Sequence, residues 1–233
     1  MDKVRGALFW LVFGAGCLVL LPLAMLAAAV NERWMASMCH TWAAWWVWCA
    51  RVCCGIRLVV RGRIPDAPVI VAMKHQSFYD AILTLYLFRW PAVVMKEELR
   101  RIPVWGWTAH RHGSIFVARQ KGGAALRAML RTAKAFEGSD RPVIIFPEGR
   151  RVEVGEAPPL KAGLSALYAT FRRPIAPMAA DAGRFWLKGL AKRPGTVTVA
   201  FGPWVEAGMP REEMEARVHA LINEDPRTAA VTE

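Results

Sequence analysis

Two long apolar runs open the chain. Residues 7–30 hold no charged side chain, and residues 34–50 hold none apart from neutral His40. As a helix the first run reaches roughly 36 Å at about 1.5 Å per residue, enough to cross a hydrocarbon layer about 30 Å thick with some tilt. It is longer than the apolar stretch of a cleaved signal peptide, so cleavage is not expected. After the polar break Asn31-Glu32-Arg33, the second run carries Trp34, Trp42, Trp45, Trp46 and Trp48. Tryptophan collects at the headgroup interface, so this run predicts a short spanning or half-buried helix. Lys3 and Arg5 precede the first run, Arg51, Arg57, Arg61 and Arg63 follow the second, and only Arg33 lies between. That asymmetry predicts a hairpin with both ends on the cytoplasmic side. A single span, and two buried helices of a soluble bundle, are the competing readings.

From residue 51 onward the period changes. Pro65-Asp66-Ala67-Pro68 is a turn, and the apolar stretch 69–73 after it predicts a buried strand. Polar His75-Gln76-Ser77 interrupts, and helical spacing resumes over 78–88, with Ser77 placed to cap the helix. Short apolar runs at 93–95, 114–117, 142–146, 175–178 and 196–201 predict further strands. Residues 124–136 and 160–171 predict helices, the first with Leu126, Met129, Leu130 and Ala133 on one face and Arg127, Arg131 and Lys134 on another. Strands alternating with helices make the fold class α/β, with residues 1–50 a membrane-associated two-helix segment and residues 51–233 an α/β domain. Strand order is beyond short apolar runs.

Composition agrees with the pattern. The 233 residues are 55% hydrophobic and 21% charged, and the mean hydropathy is +0.22. This is too apolar for a disordered tail, and it directs attention to a membrane. Thirty-one basic against 19 acidic side chains give +12 and a pI near 10.1. The first 50 residues hold three basic and two acidic side chains, so the excess belongs to the second part. It implies an acidic partner: nucleic acid, an anionic membrane or a phosphorylated substrate. The five cysteines, Cys17, Cys39, Cys49, Cys53 and Cys54, are odd in number and lack C-x-x-C spacing, so neither a disulfide framework nor a metal site is expected.

Three segments carry candidate chemistry. His75 and Asp80 follow a strand at the mouth of a helix, where α/β domains place sites. A histidine can take a proton from a hydroxyl while a carboxylate holds the ring's tautomer. Equally, Asp80 can complete a helix cap with His75 an ordinary loop residue; spacing leaves both open. Gly113 to Arg119 is a glycine, a strand and an arginine at its exit. Phe146-Pro147-Glu148-Gly149-Arg150-Arg151 sets a glycine and two arginines after a strand, either a phosphate cradle or a charged turn.

Taken in order, Lys74-His75-Gln76-Ser77-Phe78-Tyr79-Asp80, residues 113–119, residues 146–151 and Arg173-Pro174-Ile175-Ala176-Pro177-Met178 resemble the four blocks of the glycerolipid acyltransferase family, and most closely its bacterial 1-acylglycerol-3-phosphate members. Met95-Lys96-Glu97-Glu98-Leu99 and Ile102-Pro103-Val104-Trp105-Gly106-Trp107 extend the likeness, which spans roughly residues 55–205. The resemblance implies transfer of a fatty acyl group from a thioester, carried by coenzyme A or acyl carrier protein, to the free hydroxyl of 1-acyl-sn-glycerol 3-phosphate. The product would be phosphatidic acid, in phospholipid biosynthesis. It implies His75 as general base and Asp80 as its partner. Gly113, Arg119, Glu148, Gly149 and Arg151 would bind the acceptor, and Pro177 the acyl group or donor. No cofactor, metal or nucleic acid is implied; the partners are the lipid acceptor, the donor and an anionic membrane surface. The expected place is the cell membrane, with the catalytic domain on the cytoplasmic side.

Two positions depart from the blocks: Lys74 stands where asparagine is common, and Arg150 where threonine is usual. These departures keep another lyso-lipid acceptor, such as a lyso-ornithine lipid, as an alternative. A basic membrane-tethered binding protein would explain the charge but not the four blocks. A hydrolase would need activated water, since no serine sits in a nucleophile elbow.

Overall fold

In the computed structural model, residues 1–118 and 122–232 are described. Helix α1 (Asp2–Val30) and helix α2 (Glu32–Cys54) form an antiparallel pair. The polar break is the turn between them: Asn31 is extended, and its side chain accepts from Arg33 N at 2.7 Å, capping α2. Both helices outrun the uncharged stretches. Lys3 and Arg5 sit in the first turns of α1, where Arg5 pairs with Asp2, and α2 continues to Cys54 because Cys49, Cys53 and Cys54 are buried. All five cysteines are free thiols.

The inner faces of the pair belong to the main core. Phe9 and Trp46 are fully buried, with ring centroids 4.7 Å apart, and both pack on Trp186. Val71, Met73 and Tyr79 share this cluster, so packing draws no line at residue 50. The outer face of α1, with Leu11, Leu18, Val19 and Leu26, is exposed. Both ends of α1 are tied to the rest of the chain. At one end Lys192 N donates to Asp2 O at 3.1 Å, and Gly6 lies so close to Leu190 that a Cβ would stand 1.7 Å from its carbonyl oxygen. At the other end Arg111 donates to Ala28 O at 3.3 Å. On α2, His40 Nδ1 bonds Leu85 O at 3.0 Å. The hairpin therefore lies along the α/β domain, and its tip does not project from it.

Seven strands follow: β1 (Ile56–Arg61), β2 (Ile70–Met73), β3 (Ala92–Lys96), β4 (Ile115–Val117), β5 (Val143–Ile145), β6 (Ile175–Ala180) and β7 (Gly195–Phe201). Among the described residues they form one sheet, ordered β1-β7-β6-β2-β5-β3-β4. From β6 to β4 the strands run parallel; β7 is antiparallel to β6, and β1 is parallel to β7. Val71 and Met73 of β2 join the core under the hairpin and α3 (Phe78–Leu87), while Ile70 and Ala72 join the opposite core. Burial on both faces makes such strands read as unbroken apolar runs.

Helix α4 (Trp105–Arg111) lies between β3 and β4, and α5 (Gly122–Ala133) and α6 (Gly163–Phe171) cover the second face. Three elements escaped the sequence reading, α4 among them. In the edge strand β1, Arg57 and Arg61 flank Leu58, Val59 and Val60, which are not fully buried. Helix α7 (Arg211–Ile222) buries only Met214, Val218 and Ile222 among charged neighbours.

Candidate active site

The site is assembled at the carboxyl edge of the parallel strands. β2 ends at Met73, and residues 74–77 turn the chain into α3. Ser77 Oγ accepts from Tyr79 N at 3.1 Å, while Asp80 Oδ2 accepts from Ser77 N at 2.7 Å and Gln76 N at 2.6 Å, closing a capping box. The same oxygen lies 3.4 Å from His75 Nδ1. The two readings of Asp80 are therefore one structure: the cap is what aims the carboxylate at the imidazole. Asp80 is fully buried and the His75 side chain 16% exposed, stacked on Phe146 with centroids 4.0 Å apart. With Nδ1 facing the carboxylate, Nε2 is left to meet a substrate proton.

The turn after β5 meets this loop. Gly149 N donates to Phe146 O at 3.0 Å, and Gly149 has φ 71°, a conformation that favours glycine. It brings Glu148 inward, where it is 1% exposed. Glu148 Oε2 accepts from His75 N at 3.0 Å, and Oε1 accepts from Lys74 Nζ. The His75 carbonyl accepts in turn from Val152 N at 2.8 Å. Glu148 thus holds the histidine's backbone; with both oxygens engaged and no exposed surface, it is not placed as a direct acceptor contact.

Arg151 is exposed, and it lines a cavity of about 650 Å³ with Gln76, Ser77 and Phe78 from the histidine loop. Trp10 of α1, Trp186 and most of the 187–192 turn line it as well. Lys192 in that turn is buried, its ammonium donating to the carbonyls of Leu187 and Ala191 at 3.1 and 3.2 Å, and also to Gly189. Desolvation pulls its pKa down. Arg150, by contrast, turns to Glu156 in an exposed ion pair.

Gly113 precedes β4, at the amino end of the strand and so at the opposite edge of the sheet from His75. Its φ is 88°, and a Cβ there would stand 2.7 Å from Arg141 Nη1, so it serves packing and is not an acceptor contact. Pro177 is buried within β6, level with Ala72 of β2, and presents no surface to a donor. Arg119 lies outside the described residues. The sequence reading noted Lys74 only as a departure and missed Asn223, which accepts from Lys74 Nζ at 2.6 Å; nothing local marks that residue. Among the described residues, no group of three His, Cys, Asp or Glu side chains is gathered as a metal site.

The model of the acyltransferase family matches residues 56–181, which include both the His75 loop and the Glu148 turn. The 1-acyl-sn-glycerol-3-phosphate acyltransferase of Pseudomonas aeruginosa is 32% identical over 234 residues, covering 96% of this chain and 91% of that protein. The human 1-acyl-sn-glycerol-3-phosphate acyltransferase alpha is 32% identical over 128 residues, 53% of this chain and 45% of that one. The crystal structure of PlsC, the 1-acyl-sn-glycerophosphate acyltransferase of Thermotoga maritima, superposes with a TM-score of 0.76 at 23% identity, covering 96% of this chain and 95% of that one, a likeness of fold. With the family model spanning more than half of the chain and one relative aligned almost end to end, this chain belongs to the acyltransferase family.

Proposed function

We propose that the chain transfers an acyl group from a thioester, delivered by coenzyme A or acyl carrier protein, to the free hydroxyl of 1-acyl-sn-glycerol 3-phosphate, forming phosphatidic acid. The observation that carries this reading is the His75–Asp80 pair, whose loop lines a cavity through Gln76, Ser77 and Phe78 together with Arg151. The full-length relative from Pseudomonas aeruginosa supports the choice of acceptor.

In this reading the acceptor hydroxyl donates to His75 Nε2. As its oxygen attacks the thioester carbonyl, the proton passes to Nε2, and Asp80 stabilises the imidazolium that forms. The tetrahedral intermediate collapses with loss of the thiolate, which takes the proton back. A thioester leaves readily enough that no covalent enzyme intermediate is required; the protein supplies a base and a held hydroxyl. Arg151, together with Arg119 from the family resemblance, binds the acceptor phosphate, where a guanidinium fork matches the oxygens. Gly149 and Glu148 shape the turn that presents Arg151 and steadies His75.

Residues 1–50 act as the membrane-facing part and 51–233 as the chemical part. Because the hairpin lies along the domain, its exposed apolar face would bury into one leaflet, bringing the cavity beside Trp10 to the lipid surface. Arginines flanking the hairpin put the domain on the cytoplasmic side, where the basic surface meets anionic lipid. The test is incubation of purified protein with lysophosphatidic acid and each donor, with products identified by mass spectrometry. Phosphatidic acid is the expected product. Its absence, with acylation of another lyso-lipid, would overturn the choice of acceptor.

A further inference from the structure

We propose that Lys74, latched to Asn223 at the end of α7, is a positioning residue that acts on His75 through Glu148. The proposal rests on His75 being the base of the reaction described above.

Lys74 is 3% exposed, and its ammonium is shared among three acceptors: Glu148 Oε1, Glu156 O at 2.7 Å and Asn223 Oδ1 at 2.6 Å. Three protons meet three acceptors, so nothing is left over for a substrate. The second oxygen of Glu148 holds His75 N at 3.0 Å. A buried carboxylate without a cation would take up a proton or turn out to water. Lys74 is the cation that holds it in place, and so keeps the acceptor that fixes the histidine's backbone. The other contacts on His75 are the Val152 N–H on its carbonyl, the Asp80 carboxylate on its ring and the Phe146 ring stacked against it.

Asn223 gives the arrangement its far anchor. It follows the last residue of α7, and its Nδ2 donates to His219 O at 2.7 Å, which orients the amide with its oxygen toward Lys74. Met214, Val218 and Ile222 lock α7 into the core on the second face of the sheet. A helix packed on the sheet through one face is thereby connected through Asn223, Lys74 and Glu148 to the amide of His75. Asparagine at position 74, common in the related blocks, could donate to Glu148 but is too short to reach Asn223 as well. Lysine is what links Glu148 to the end of α7.

A base displaced by about 1 Å can lose on the order of 100-fold in rate. In the full-length protein, Lys74→Met should lower kcat about 10–100-fold per folded molecule, with the KM for lysophosphatidic acid within about twofold of wild type. If Lys74 acts through Glu148, the Lys74→Met, Glu148→Gln double variant should lose no more than the worse single variant. Asn223→Ala removes one acceptor without leaving a buried charge. It keeps the test available should Lys74→Met not fold, and should lower kcat about 3–10-fold, with Asn223→Asp recovering part of the loss. The proposal is overturned if Lys74→Met and Asn223→Ala keep kcat within twofold, if their losses fall on KM alone, or if the Lys74 and Glu148 losses multiply. His75→Ala, assayed alongside, separates the two levels. If it remains active, the base reading fails; if it is inactive while the Lys74 and Asn223 variants match wild type, only the positioning proposal fails.

Discussion

One carboxylate oxygen of Asp80 accepts the amides of Gln76 and Ser77 and also faces His75 Nδ1 at 3.4 Å. Helix start and imidazole orientation therefore depend on the same atom. His75→Ala should lower activity about 10²–10⁴-fold, the usual size of a general-base contribution, with the thermal midpoint little changed. Asp80→Asn should lower both, because an amide neither stabilises the imidazolium nor caps α3 as well; a lost cap costs about 0.5–2 kcal/mol. Rates and melting curves on the same preparations check the contrast, and a His75→Ala variant with near wild-type activity would remove the base.

The two arginines after the glycine turn separate cleanly. Arg151 lines the cavity, so Arg151→Ala should raise the acceptor KM about 10–150-fold, from a charge-assisted contact worth roughly 1.5–3 kcal/mol. Lysine there should restore only part, lacking the fork. Arg150 faces Glu156 in solvent, so Arg150→Thr should leave acceptor preference unchanged. Full activity in the Arg119→Ala, Arg151→Ala double variant would place the phosphate elsewhere.

Because Phe9 and Trp46 sit in the main core, removing residues 1–50 should unfold the protein and not merely release it from membranes. Phe9→Ala alone should lower stability by about 3–5 kcal/mol. Charged residues at Leu11 and Leu18, on the exposed face of α1, should instead weaken vesicle binding while leaving the melting temperature nearly unchanged. Sedimentation with anionic vesicles and thermal melts distinguish the two classes.

His112 should make the fold acid-sensitive. It is 3% exposed, neither ring nitrogen has a partner among the described residues, and burial, with Arg141 alongside, holds its pKa down to about 3. The unfolded chain, with an ordinary histidine near 6.5, binds this proton more readily than the fold. Stability from the neutral ring is therefore complete above about pH 6.5 and declines as pH falls toward 3. Denaturation of wild type and His112→Phe across that range should show a shallower acid loss in the variant.

Much of the molecule could be read locally. The uncharged runs at 7–30 and 34–50, the buried strands and the helices from 78, 124 and 160 reflect which faces must leave water, and near neighbours in the chain set that pattern. The His75–Asp80 pair was visible because the helix cap and the imidazole–carboxylate contact both lie within five residues. Edge strand β1 and helix α7 were not visible, since each buries a few side chains whose partners lie in distant segments.

Contacts between distant segments were decided only by the fold. Glu148 reaches His75 across 73 positions and Asn223 reaches Lys74 across 149. Their meeting depends on strand order, in which β5 and β6 flank β2 and α7 packs behind it. The same holds for Gly113 and Pro177, whose block membership was readable while their place in packing was not. The hairpin gives the largest contrast. The sequence by itself determined that its two helices are apolar; packing at both ends of α1 decided that they lie along the domain. Hydrophobicity says that a surface must leave water, and only the complementary surfaces of the folded chain determine what covers it.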